Sequence, residues 1–507
     1  QSAWDFVVVG GGATGLGVAV DAASRGYKTL LLEQHDFAKS TSSKSTKLIH
    51  GGVRYLRQGN VSLVLESLKE RGILRENAPH LVHDLPFIVP NYDWWEAPFY
   101  GIGLHLYDLL AGEHGFGKSH HLDKEETLER IPTLEADGLR GGTIYYDGQF
   151  DDARLAINLA QTAVDHGAAV LNYVRVTGLT KSNDLVSGVI AVDAETQLEY
   201  GVKAKAVINA TGVFTDALVQ MDDPGARPMI SPSQGVHIVL DRSFLPGDSA
   251  IMVPHTDDGR ILFAIPWHGR ALIGTTDTPV SGASLEPLPM KEELEFLIVH
   301  AARYLTKDPE PVDVLSAFAG LRPLVKEGGG DGDTASISRD HTLHIARSGL
   351  ITIAGGKWTT YRKMAEDTVD QAWGVAGLGE VEARTKKLRV HGHCAAPVDG
   401  GDFESYGSDA EAVRNLCAEI PGGNGLLASS LPYRAGEVAW AAREEMARTV
   451  EDVLARRTRS LLLDAPASVK AAPLVAKLLA VEMGKDQKWQ EEQVKEYEGL
   501  ARGYIVA

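Results

Sequence analysis

The 507-residue chain has only two cysteines, Cys394 and Cys417. That is too few for a disulfide framework and suits a reducing compartment. No window supplies the roughly 18 consecutive apolar residues that a membrane-spanning helix needs. No secretory signal is visible, and Gln1 stands where an initiator methionine would be. Cations are outnumbered, with 50 Lys and Arg against 68 Asp and Glu and a formal net charge of −18. This balance argues against nucleic acid as a partner. It also means that an anionic substrate would need a local cluster of cations to overcome the overall field. Metal-ligand clusters are lacking as well. "HGHC" (His391 to Cys394) has no second ligand group and reads as a loop, and "GGGDGDTASIS" lacks the terminal glutamate of an EF-hand.

What is present is ordinary in bulk, at 44% hydrophobic and 23% charged residues. A chain this long divides into two or three domains. The first fifty residues are more specific. In "DFVVVGGGATGLGVAVDAASRGYKTLLLE", Phe6 to Val9 has the length and apolarity of a buried strand. Ala13 to Ser24 is helical in composition, Gly26 is a C-terminal stop, and Thr29 to Leu32 is a second strand. Between them Gly10, Gly12 and Gly15 give the G-x-G-x-x-G spacing. The first glycine permits the tight turn and the second lets backbone approach a pyrophosphate at the helix N-terminus. The third lets helix and strand pack closely. Glu33 ends the second strand eighteen residues after Gly15, near the spacing at which an acid binds an adenosine ribose. The pattern predicts a dinucleotide site. It leaves NAD and FAD open and speaks against NADP, whose phosphate the acid would repel.

Three further segments favour FAD. The second strand runs into a long polar loop, "FAKSTSSKSTKLIHGGVRYL", whose Thr41, Ser42, Ser43, Ser45 and Thr46 hydroxyls can bind an extended cofactor, with Lys47 and Leu48 alongside. "AKAVINATGVFTDAL" is a strand ending in Ala210, Thr211 and Gly212, a junction that backbone can bring close to the cofactor. "GLITIAGGKWTTYRKMAEDTV" is a strand, a glycine pair and a helix. It would present Gly356, Lys357 and Thr359 with the positive helix end towards a flavin. Each alone is an ordinary strand-to-helix turn, but together they fit FAD better than NAD.

These motifs carry a family resemblance. "VGGGATGLGVAVDAASRG", "TSSKSTKLIHGGVRYL", "FAGLRPL", "SISRDHTLHI", "GGKWTTYRKMA" and "EEMARTVEDVLARRTRSLLLDA" together resemble the FAD-dependent glycerol-3-phosphate dehydrogenases, in order along nearly the whole chain. Related amine oxidases share the glycine triplet but not "KLIHGGVRYL" or "GGKWTTYRK". One departure is Leu16, where a small residue is expected after the third glycine. Val176 resembles the family position whose backbone meets the adenine.

The implied fold is α/β plus α+β. It combines a discontinuous Rossmann-like FAD-binding domain of the amine-oxidase type (1–85, 150–230, 340–390) with a substrate domain (86–149, 231–339) and an all-helical C-terminal domain (391–507). Strand-like runs such as "SQGVHIVL", "RILFAIPW" and "RALIGTTD" at hairpin spacing predict an antiparallel substrate sheet. Lys291 to Leu305 reads as an amphipathic helix packed on it.

Oxidising a secondary alcohol on flavin needs a base, a hydride acceptor and cations for a phosphate and an alkoxide. Arg54, Arg322 and Arg339 occupy loop positions within apolar strand contexts and are the candidate cations. By resemblance, Arg54 and Arg339 hold the phosphate with Tyr55, while Arg322 and Lys357 lie near the reacting carbon. His237 is the first choice for the base and His50 the second. Thr276 and Asp277 end a strand facing the site, the aspartate orienting an arginine.

The resemblance implies oxidation of glycerol 3-phosphate to dihydroxyacetone phosphate, with electrons passing to a quinone. With no spanning helix, attachment would be peripheral, on the inner face of the cytoplasmic membrane. The oligomeric state stays open, a homodimer among the alternatives. Three rivals remain: an oxidase that reduces oxygen to peroxide, an amine or amino-acid oxidase, and a flavin-binding regulatory module without turnover.

Overall fold

A computed structural model of the chain describes residues 3–52, 60–253, 256, 259–326, 340–395, 401 and 403–506. The N-terminal pattern folds as its periodicity dictates. Trp4–Val9 is a strand, Ala13–Ser24 a helix and Thr29–Leu32 the next strand. The two strands pair in parallel, and Glu199–Asn209 pairs in parallel on the other side of Trp4–Val9. Ile351–Gly355 extends the parallel sheet beyond Glu199–Asn209, and Ala169–Leu171 extends it beyond Thr29–Leu32. His341–Ile345 adds an antiparallel edge, and the hairpin Val174–Ser182 with Leu185–Asp193 branches off Glu199–Asn209. The inner stretches 6–9, 30–32 and 206–208 are apolar and buried because both faces are covered there, whereas Asp5, Lys203 and Lys205 lie nearer the open ends of their strands.

Close helix packing explains the glycines. A Cβ on Gly15 would lie 1.9 Å from the Gly10 carbonyl oxygen, so only hydrogen fits there. Leu16 is fully buried in the core of this domain, and the small residue is needed one position later. A Cβ on Gly17 would stand 2.9 Å from the Tyr361 ring. The expected requirement after the third glycine is therefore shifted by one residue.

A second, ten-stranded sheet takes Val82–Asn91, Gly141–Phe150, Ile230–Asp241, Leu262–Trp267, Arg270–Gly274 and Val314–Val325. Its pairings are antiparallel except that between Ala250–Val253 and Val82–Asn91. The polar loop after Thr29–Leu32 already contributes to it, since Leu48 and Ile49 pair with Gln149 and Gly148. Ile230–Asp241 lies between Arg270–Gly274 and Val314–Val325, and its register sets His237 beside Phe318 and Gly274, and Ser233 beside Arg322. The helix expected over 291–305 runs Lys291–Ala302. It stops there because Leu305 bridges to Leu134 and the Thr306 N–H donates to the Thr133 carbonyl.

Beyond residue 391 the described regular structure is helical, with Ala410–Glu419, Gly436–Glu444, Ala465–Met483 and Gln487–Ala501 the longer elements. The continuous periodicity of "EVAWAAREEMARTVEDVLARRTRSLLL" does not give one helix. The chain turns at Met446 and Arg459, both at positive φ, around a π-helix at Asp452–Arg457. The reason is charge. Glu445 pairs with Arg154, Arg459 with Asp151, and Arg456 and Arg457 with Asp36, all buried against the part of the chain that carries the parallel sheet. A straight helix would leave some of these ions unpaired at heavy cost.

His391 of "HGHC" is part of the same seam. It is wedged between Asp165 (2.7 Å from Nδ1) at the end of helix Asp152–Asp165 and Asp409 (2.9 Å from Nε2) before helix Ala410–Glu419. Bonding to Asp409, opposed by burial and aided by Asp165, raises the imidazole to about 9. The stabilisation is therefore complete below the unfolded value near 6.5 and is lost as pH rises through about 9. Replacing His391 by Asn should cost on the order of 1–2 kcal/mol at pH 6 and almost nothing at about pH 10. Urea denaturation at the two pH values checks this.

Candidate active site

Two cavities meet at the C-terminal end of the parallel sheet. The first encloses about 1280 Å³ of space open to solvent and is lined by Gly10, Gly12, Glu33, Thr41, Ser42, Val176, Ala210, Thr211 and Gly212. The second, about 1020 Å³, is lined by Lys44, Thr46, Leu48, His50, His237, Thr275, Arg322 and Thr359. Both share Thr41, Pro323, Gly355, Gly356, Lys357 and Trp358, so one continuous cleft runs between the two sheets.

The first cavity has the geometry of a dinucleotide cradle. Gly10 has φ +111°, and a Cβ on it would lie 2.6 Å from the Ala210 oxygen. The turn can therefore close under a pyrophosphate only as glycine. At the helix N-terminus the Ser42 hydroxyl accepts from the Ala13 N–H (2.9 Å) and keeps its own proton for an anion. Glu33 accepts from the Gly11 N–H (2.6 Å) and the His35 N–H (2.8 Å), one bond to each carboxylate oxygen. Burial raises its pKa against these bonds. Each oxygen keeps a lone pair for a ribose hydroxyl. Trp358 Nε1 donates to the Ser42 carbonyl (2.8 Å), tying the third cofactor segment to the loop. These residues fit FAD, with the adenosine end at Glu33 and Val176 and the flavin end at Gly356 and Lys357.

Some expected cofactor residues act from behind the cleft. Lys47 does not line it. Its ammonium is fully buried, 2.8 Å from both Asp152 oxygens and 2.6 Å from the Ser43 carbonyl. Ser43 is also buried, and its hydroxyl is turned to the Ser40 carbonyl. Both brace the loop, and Gly15 packs the helix beneath it. The Thr41 hydroxyl donates to the Leu321 carbonyl (2.6 Å), and its oxygen remains an acceptor at the junction of the cavities.

The second cavity gathers the cations and histidines. Arg322 is held by Asp277 (3.1 Å), the Gln234 carbonyl (3.3 Å), Thr275 Oγ1 (3.2 Å) and the Thr276 carbonyl (2.9 Å). Gly235 is required beside it, because a Cβ there would be 2.6 Å from a guanidinium nitrogen. Asp277 does orient an arginine, but from behind, with Ser233 as its second partner. Thr276 is likewise turned away. Its hydroxyl accepts from the Val236 N–H (3.0 Å) and donates to Glu293 (2.9 Å), and Thr275 faces the cavity instead. The partners of Thr276 decide which of the two threonines faces the cavity, and local sequence does not signal them.

His237 is buried, stacked on Phe318 (centroids 5.0 Å apart), with Nε2 2.9 Å from Thr46 Oγ1. Burial, and then the Lys47 and Arg322 charges, push its pKa well below the ordinary value. The ring is neutral at pH 7. Nδ1 is buried without a hydrogen-bond partner among the described residues. The Thr46 contact is compatible with either tautomer; in the one that leaves Nε2 unprotonated, Nε2 accepts from the Thr46 hydroxyl and can act as a base through it. His50 lines the cavity too, its N–H donating to Thr359 Oγ1 (3.3 Å). Arg54, Tyr55 and Arg339 lie outside the described residues.

Lys44 was not singled out from the sequence. It lines the second cavity with its ammonium 2.6 Å from Glu286, which also accepts from Tyr504 (2.8 Å). Its place in a run of hydroxyl residues was the only available signal. Among the described residues no helix is long and apolar enough to cross a membrane.

A family model described as FAD dependent oxidoreductase matches residues 5–362, and one described as the C-terminal domain of alpha-glycerophosphate oxidase matches residues 353–493. The chain is similar to the Homo sapiens protein named glycerol-3-phosphate dehydrogenase, mitochondrial, at 41% identity over 546 residues. The match covers 99% of this chain and 73% of the relative. The solved structure of the glycerol-3-phosphate dehydrogenase from Bacillus halodurans complexed with FAD matches at TM-score 0.82 and 30% identity, covering 100% of this chain and 96% of that one. The FAD-bound L-alpha-glycerophosphate oxidase from Mycoplasma pneumoniae shares the fold at TM-score 0.59 and 17% identity, over 77% of this chain and 99% of that one.

Proposed function

Because this chain belongs to the FAD-dependent glycerol-3-phosphate dehydrogenases, we propose that it oxidises sn-glycerol 3-phosphate to dihydroxyacetone phosphate and passes the electrons to a membrane quinone. FAD is the cofactor and glycerol 3-phosphate the substrate. The observation that carries the fuller reading is the junction at Gly355, Gly356, Lys357 and Trp358, where a dinucleotide cleft opens into a cavity holding Lys44, Arg322, His50 and His237.

Bound FAD supplies a two-electron acceptor for the hydride leaving the carbinol carbon. The chain's own residues do the rest. His237, neutral and beside Thr46, takes the hydroxyl proton as the C–H bond breaks. Arg322, already fixed by four contacts, stabilises the negative charge building on that oxygen with little reorganisation. Lys357, at the flavin end of both cavities, adds a second charge. Arg54, Tyr55 and Arg339 are assigned to the phosphate by their motifs. Lys44 can join them by leaving Glu286 for the dianion.

A quinone acceptor requires a surface that meets the bilayer. Helix Glu96–Ala111 supports one. Its outer face carries Ile102 (75% exposed) and Leu109 (75%), with Phe99 and Leu106 also exposed, and Trp94 (76%) and Trp95 stand exposed just before its first turn. Of the acids in this stretch Glu96 is buried and Asp108 is half-buried and bonded to Ser119, while Asp93 and His105 are exposed beside the apolar side chains. At a rise of 1.5 Å per residue the stripe is about 20–25 Å long. Aromatic and aliphatic side chains of this kind enter the interfacial layer of a membrane. A second copy of the chain is disfavoured as occupant by mutual repulsion of net charges of −18. We place the peripheral contact here.

Anaerobic mixing with glycerol 3-phosphate tests the chemistry. The flavin's visible absorbance should bleach, and glycerol, which lacks the phosphate, should leave it unchanged. No bleaching would sink the catalytic assignment. The fold shared with the Mycoplasma pneumoniae oxidase keeps oxygen as the rival acceptor. Stoichiometric peroxide in air, undiminished without a quinone analogue, would favour oxygen.

A further inference from the structure

The outer helix and the active-site loop are joined by a buried polar relay. On the inner face of Glu96–Ala111, Tyr100, Leu104, Tyr107 and Ala111 are buried in a core that also holds Leu48 and Leu68. Tyr107 is the polar member. Its Oη accepts from the Gly51 N–H (2.8 Å) and donates to Asp147 Oδ2 (2.8 Å). Asp147 is ion-paired to Arg71, which also donates to the His114 carbonyl (3.2 Å) just beyond the helix and lies over the Phe116 ring. Tyr107, Asp147 and Arg71 are all at most 3% exposed. The fit at the loop is tight, since a Cβ on Gly51 would stand 2.5 Å from the Tyr107 hydroxyl. Gly51 directly follows His50, which lines the substrate cavity. Burial, reinforced by the Asp147 charge, keeps the Tyr107 hydroxyl protonated.

We propose that Tyr107 is a positioning residue that ties the outer helix to the His50–Gly51 segment, so that seating the helix in a lipid surface tightens the enzyme's grip on glycerol 3-phosphate. The inference rests on the docking of this helix proposed above. Its physical basis is linkage. A bilayer that immobilises the helix also orders the loop bonded to it, and a substrate meeting an already ordered loop loses less conformational entropy on binding. Within each buried link the partners are exchangeable only at the cost of an unsatisfied polar group. The helix and loop therefore move together. The enzyme would thus be most competent where its acceptor resides, and less so in free solution.

The test uses the FAD-loaded protein, a water-soluble redox dye as acceptor and phosphatidylcholine vesicles, so that quinone access plays no part. Wild type should sediment with the vesicles, and its KM for glycerol 3-phosphate should fall about fivefold or more on binding. Tyr107→Phe should sediment equally well, yet its KM should change by less than about twofold. If wild type sediments with no change in KM, or if Tyr107→Phe keeps the full response, the coupling is refuted while the docking stands. If wild type does not sediment, the docking surface is wrong and the coupling falls with it. Should Tyr107→Phe lose FAD, hydrogen exchange on wild type decides. Vesicles should slow exchange at residues 48–52 as well as along the helix, and unchanged exchange at 48–52 would overturn the proposal.

Discussion

Replacing His237 by Asn lowers kcat for glycerol 3-phosphate by about 10²–10⁴-fold, the usual worth of a positioned general base, while FAD stays bound. The FAD statement follows from placement. His237 lines the substrate cavity and not the glycine-loop cavity. The pH profile separates a base from a packing residue. A base works when deprotonated, so activity is lost as pH falls through its pKa. Burial, Lys47 and Arg322 hold that pKa well below the ordinary value, so kcat/KM, which reports the free enzyme, should show no acid limb from this group near pH 6.5. A bound phosphate dianion offsets the Lys47 and Arg322 charges, moving the limb in kcat to higher pH than the limb in kcat/KM. A variant within about tenfold of wild type would transfer the role to His50. Retained folding is checked by thermal melting, because the Phe318 ring loses its stacking partner.

Removing Arg457 as Met costs about 3–5 kcal/mol of stability, because it leaves a buried carboxylate short of a partner. Arg457 grips Asp36 with two nitrogens, at 2.6 and 2.9 Å. Burial pushes the Asp36 carboxyl up, but Arg457 and Arg456 outweigh it and hold the group ionised. Arg456 continues the chain of ions to Asp452 and Glu451 (2.8 Å each), and Glu451 reaches Lys39 (2.7 Å). Asp36 and Lys39 lie in the segment between Glu33 and Ser42, and Ala38 N–H donates to the Gly11 carbonyl (3.0 Å). The helical domain therefore pins the loop that forms the nucleotide cavity. Arg457→Met should accordingly weaken FAD retention together with stability. A double-mutant cycle with Asp36→Asn checks the pairing, since the two losses should be far from additive. Additive losses would mean that the residues act separately.

The candidate site was legible where a local rule applies. The first strand, helix and second strand follow from apolar runs and glycines within thirty residues of one another. So does the acid at Glu33, whose hydrogen-bonding partner is Gly11. Arg322 could be chosen because an arginine inside "FAGLRPLV" is out of place in an apolar strand. Its helper Asp277 was in view, but the neighbouring choice of Thr276 over Thr275 was not, because which hydroxyl faces the cavity depends on Glu293 and Val236 claiming the other. Lys44 was missed for a similar reason, since a lysine in a polar loop is usually solvated.

Sequence alone determined the dinucleotide cradle and the order of its elements, because both rest on spacing along a backbone of known pitch. Three further segments favoured FAD, and the reaction class came from the family resemblance of the motifs. Tertiary structure decided which charges face the substrate and which hold the frame. Lys47 finds Asp152 across 105 residues and Arg457 finds Asp36 across 421. An ion's role is set by the nearest opposite charge and by how much water is excluded around the pair, and both are properties of the packed chain.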